Sequence, residues 1–75
     1  MDRYTERVPR EVADAAGVIL RYVVGERVEP SRFDYARGVL SGFHSILPQS
    51  PDPNLIRGHR RGVVLRVGNA RAFQY

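Results

Sequence analysis

Three prolines within six residues, in the run Pro48-Gln49-Ser50-Pro51-Asp52-Pro53-Asn54, prevent any regular element from crossing the middle of this chain. Proline has no N–H to donate, and it also pushes the residue before it out of the helical region. The chain must therefore fold as two parts that meet, and the charge divides at the same place. Asp52 is the last acid, and five arginines, Arg57, Arg60, Arg61, Arg66 and Arg71, follow it unopposed. We read one domain over 1–75: a frayed N-terminus at 1–8, a helical hairpin at 9–47, a Pro-rich linker at 48–54 and a basic C-terminal segment at 55–75.

The first part has helical periodicity. Pro9 suits the first turn of a helix, and Glu11 and Asp14 favour its positive end. Val8, Val12, Ala15/Ala16, Ile19 and Val23 recur at spacings of three and four, and Gly25 is a natural stop. This predicts a helix over roughly 9–24. A second start follows at Glu29-Pro30-Ser31, where Ser31 can cap with its hydroxyl and Asp34 can reach back as in a capping box. Phe33, Ala36, Leu40, Phe43 and Leu47 form one apolar stripe. Tyr35, Val39 and Ile46 form a second, and Pro48 ends the element. An apolar arc this wide predicts two neighbours for the helix. Gly38 and Gly42, one turn apart, suggest close backbone approach by another helix, since each glycine otherwise costs about 1 kcal/mol relative to alanine.

The second part reads as a β-hairpin. Val63-Val64-Leu65-Arg66-Val67 is rich in β-branched residues, Gly68-Asn69 is a favoured two-residue turn, and Ala70 to Tyr75 supplies the return strand. The competing reading is a third helix from Pro53 to Val67 with Gly68 as its cap. The expected fold class is thus α+β, two amphipathic helices followed by a C-terminal hairpin, with an all-α three-helix bundle as the alternative.

Glu11-Val12-Ala13-Asp14-Ala15-Ala16-Gly17-Val18 resembles the first helix and turn of bacterial helix-turn-helix proteins. Alanine followed four residues later by glycine, with apolar neighbours, is what that motif requires. Ile19, Leu20 and Glu26 depart from its pattern, and one continuous amphipathic helix from Val8 to Val23 fits the same residues. Two helices followed by a basic hairpin is also similar, in order, to a minimal winged helix, the outline of small phage excisionases. Either resemblance implies DNA binding, with Arg66 and Arg71 at the hairpin tip in the winged case.

Composition narrows the function. Seventy-five residues are near the lower limit for a self-sufficient core, and the chain has no cysteine and only two histidines, His44 and His59. Disulfides and a structural zinc are therefore not expected, and a homo-oligomer or a larger assembly is. The charged N-terminus has no apolar region behind it and no apolar run approaches ~20 residues, so a cytoplasmic protein without a membrane span is expected. All twelve basic residues are arginine, which GC-rich coding explains as well as selection for guanidinium does. No nucleophile elbow or phosphate loop is present, so neither catalysis nor a cofactor is expected. The primary expectation is a small binding protein that contacts nucleic acid through Arg57, Arg60, Arg61, Arg66 and Arg71, such as a phage or mobile-element accessory protein. Phe73, Tyr75 or Tyr4 would be available to stack on bases. The alternative is a protein-interaction module, an inhibitor, adaptor or assembly subunit. It would use Phe33, Gly38, Leu40, Gly42 and Phe43, and its arginines would dock on an acidic protein surface.

Overall fold

The computed structural model describes residues 8–72, and side chains through residue 70. It contains three helices, α1 (Arg10–Val23), α2 (Pro30–Phe43) and α3 (Pro53–Ala72), and no strand among the described residues. The protein is all-α, and the expected C-terminal hairpin is replaced by a helix of 20 residues. That helix also outruns the competing reading, passing through Gly68 and Asn69 to Ala72. The winged-helix outline falls with the hairpin. The helix-turn-helix resemblance falls as well, because α1 runs unbroken through Gly17.

The helix ends follow from local chemistry. Beyond α1, Gly25 takes the left-handed conformation at φ 92°, and the Glu26 N–H donates to the Arg21 carbonyl at 2.9 Å. This is a Schellman stop. The same motif closes α2 four residues before the expected Leu47. Ser45 is left-handed at φ 60°, and the Ile46 N–H donates to the Ser41 carbonyl at 2.8 Å. A serine in that conformation carries strain that glycine does not. α2 also starts one residue before Ser31, with Pro30 at its first turn and Glu29 as N-cap. No capping box forms there. The Ser31 hydroxyl donates to the Glu29 carboxylate at 2.8 Å, and Asp34 faces Arg37 at 3.6 Å. α3 is the best-started element. The Asp52 carboxylate accepts from the Asn54 and Leu55 N–H groups at 2.9 and 3.2 Å, and Pro53 occupies the first helical position. The last acid of the chain is thus the N-cap of its basic helix.

The joint between α2 and α3 explains why 53–72 is helical. Gly38 and Gly42 of α2 and Gly58 and Gly62 of α3 are all buried. A Cβ at any of the four would lie less than 3.0 Å from backbone of the other helix. Gly38 faces Leu55 to His59, Gly42 faces His59 to Val63, Gly58 faces Tyr35 to Val39, and Gly62 faces Val39 to Phe43. Both sets of numbers rise together, so the helices run parallel. A parallel pair requires the chain to return the length of a helix between them. Residues 44–52, which can span about 30 Å when extended, provide that return over the roughly 21 Å of α2. The His59 Nε2–H donates to the Ile46 carbonyl at 3.0 Å and ties the return segment to α3.

α1 lies on the other side of α2, so α2 has the two neighbours its wide apolar arc requires. Between them Val12, Ala15, Val18, Ala36 and Val39 are buried, with Leu40, Phe43 and Leu65 packed around them. Val18 belongs to the core, whereas Val23, which the periodicity placed on the apolar face, is 71% exposed. The described residues are flat overall, 41 × 31 × 14 Å.

Identical substitutions should therefore act in opposite directions along α3. Gly62→Ala should cost about 3 kcal/mol, the upper part of the overpacking range, because backbone rather than a flexible side chain must move. Gly68→Ala, whose added Cβ meets nothing within 4 Å, should gain up to about 1 kcal/mol. Asp52→Ala should cost about 1 kcal/mol through the lost cap. Urea denaturation of the three variants checks each value.

Candidate functional site

The glycine seam fixes one side of α3, with Arg57 and Arg60 turned away from it and Arg61 and Arg66 flanking it. At roughly 100° per residue, Arg57, Arg60 and Arg61 occupy one 100° sector, and Arg66 lies about 120° round from Arg60. All four are exposed. Arg71 belongs to the same helix, and its side chain lies outside the described residues, as do Phe73, Tyr75 and Tyr4. The five expected contact residues therefore do not act as one loop. Three form a rigid sector, and one points elsewhere.

The three differ in what already holds them. Arg57 donates to the Asn54 side-chain oxygen at 3.0 Å, and its guanidinium sits 5.6 Å from the Tyr35 ring centroid. This is a cation–π contact across the α2–α3 joint. Arg61 grips Glu11 of α1 through both carboxylate oxygens, with its Nε at 2.9 Å from Oε2 and an Nη against Oε1. This pair links two helices 50 residues apart in sequence. The hydrogen bonds and charge of Arg61 hold the Glu11 carboxyl below its usual 4.5, and Glu11 raises the Arg61 pKa in turn. Both side chains are nearly half exposed, so solvent weakens the attraction. Arg60 is exposed and makes no ion pair or hydrogen bond with any described side chain.

No acid lies between Pro53 and Ala72, and among the described residues Glu11 is the acid that pairs with this surface from across the fold. Among the described residues no three histidines or acids come together to hold a metal ion. None of the helices among them is long and apolar enough to cross a membrane.

The residues expected to meet a protein partner lie mostly inside this fold. Gly38 and Gly42 are buried against α3. Leu40 and Phe43 are half-buried on the core, and Phe33 stacks on Tyr22 with ring centroids 4.2 Å apart. Sequence reasoning missed three contributors. Gly58 and Gly62 repeat the spacing of Gly38 and Gly42, and that repeat was the available signal. Glu11 gave no local signal, because its partner is distant in sequence. No known protein family matches this chain, and no curated protein or solved structure is significantly similar to it.

The Glu11–Arg61 pair gives a defined pH dependence. The carboxyl pKa is depressed in the folded state, so the stabilisation is fully present above the unfolded value of 4.5 and is lost as pH falls through the folded value. The melting-temperature difference between the wild type and Glu11→Gln should be measurable at neutral pH and should vanish by about pH 2. A difference that persists there would assign the effect to packing instead.

Proposed function

We propose that this protein is a small non-catalytic module that binds the phosphate backbone of nucleic acid along α3. One observation carries the reading. A 20-residue helix without a single acid is seated by its glycine side and turns Arg57, Arg60 and Arg61 outward as one rigid sector. Guanidinium groups pair with phosphate through parallel N–H donors, and a helix fixes their spacing before any ligand arrives. α3 is about 30 Å long, enough to follow several phosphates of one strand. Gly58 and Gly62 are buried against α2 and take no part in the contact.

Arg60 is the central contact, being exposed and without an ion pair among the described residues. Arg57 is preorganised over Tyr35, and Arg61 becomes available as phosphate competes with Glu11. Two to three neutralised phosphates imply weak binding that depends on salt and not on sequence, with a slope of about −0.9 per phosphate in log K against log salt.

The test is fluorescence anisotropy of labelled DNA and RNA duplexes of equal length, titrated with the protein from ~50 mM salt upward. Arg60→Ala should weaken binding and flatten the slope by about one. Absence of binding at ~50 mM, or a slope unchanged by Arg60→Ala, would sink the proposal.

A further inference from the structure

α1 has a second apolar side that its own fold leaves uncovered. Opposite the buried Val12, Ala15 and Val18 lie Ala13, Gly17, Leu20 and Val24, at spacings of four, three and four. Leu20 is 63% exposed and Val24 64%. Gly17 sits in mid-helix, where glycine costs about 1 kcal/mol relative to alanine. The four seam glycines are explained by backbone in contact with them. A Cβ on Gly17 would meet nothing within 4 Å.

The charges beside this face indicate what covers it. Asp14 and Arg21 flank one edge, three residues before and four after Gly17. Two copies of α1 packed antiparallel about a two-fold axis near Gly17 bring like edges together with their order reversed. Asp14 of each copy then lies beside Arg21 of the other, twice over. A parallel two-fold pairing sets opposite edges together, so Asp14 and Arg21 would not meet across it. Leu20 of each copy falls opposite the small residues Ala13 and Ala16 of the other. Arg10 does not compete strongly for Asp14: it stands 3.9 Å away, and both side chains are largely exposed.

We propose that a second copy of this chain docks on α1, helix against antiparallel helix, with Gly17 and Leu20 at the centre and the Asp14–Arg21 pairs at the rim. The inference does not rest on nucleic-acid binding, since it uses the side of α1 opposite its core face and none of the arginines of α3. A 14-residue helix is about 21 Å long, so the contact is smaller than a standard ~1,600 Å² interface and the dimer is weak and concentration-dependent.

Sedimentation equilibrium of the full chain from ~10 μM to ~1 mM tests it. The expected mass rises from the 8.5 kDa of one chain toward twice that value. Leu20→Asp and Asp14→Arg should each raise the dissociation constant roughly ten-fold or more, and Asp14→Arg combined with Arg21→Asp should restore it. Circular dichroism confirms that each variant keeps its helices, and because all these sites are exposed the fold should survive. A chain that stays monomeric throughout, or a dimer indifferent to Leu20→Asp, overturns the proposal. A double exchange no better than the single reversal overturns the antiparallel alignment.

Discussion

The structure depends on two helices touching backbone to backbone. Gly38, Gly42, Gly58 and Gly62 interlock so that no Cβ fits between α2 and α3. A contact of this kind gains from dispersion over closely spaced main-chain atoms and from Cα–H groups facing carbonyl oxygens. It also lets a chain of 75 residues hold together with little side-chain volume inside. The buried apolar residues among those described are five valines or alanines of α1 and α2, plus Leu55 of α3. Such a core is thin, and the seam supplies the close packing that larger side chains would otherwise provide.

The seam also decides what the protein shows to its surroundings. By committing one side of α3 to α2, it sets Arg57, Arg60 and Arg61 on the outside at fixed separations. By running parallel to α2, it requires the long return through residues 44–52, which the prolines keep extended. α1 contributes from the far side, packing valines and alanines on α2 and reaching Arg61 with Glu11. The resulting molecule is asymmetric, with a basic helix at one margin and an apolar helix surface around Leu20 at the other.

Much of this was legible along the chain. Pro9 and Gly25 bound α1, Pro30 opens α2, and the Asp52-Pro53 pair marks both the linker's end and the start of α3. Gly38 and Gly42 announced a close helix neighbour. The segment from Val63 to Asn69 was misread for a physical reason. Its β-branched residues and Gly-Asn step have local free energies that barely separate hairpin from helix. Ten residues of helix already capped by Asp52 and locked at Gly58 and Gly62 precede it, and extending a formed helix is far easier than starting a strand pair. Leu47 failed as a core residue because Ser45 turned left-handed and ended α2 early, which no periodicity encodes.

The sequence by itself determined where helices could begin and stop, where the chain had to break, and that all uncompensated positive charge falls after Asp52. These are local properties, set by proline, glycine, capping groups and the order of charges. Only the tertiary structure decided that the basic segment is a helix, that its glycines meet those of α2, and that Arg61 belongs partly to Glu11 while Arg60 pairs with no described side chain. Those outcomes rest on contacts between residues about 20 and 50 positions apart. Their energies appear only when the helices come together, so no stretch of the chain read alone contains them.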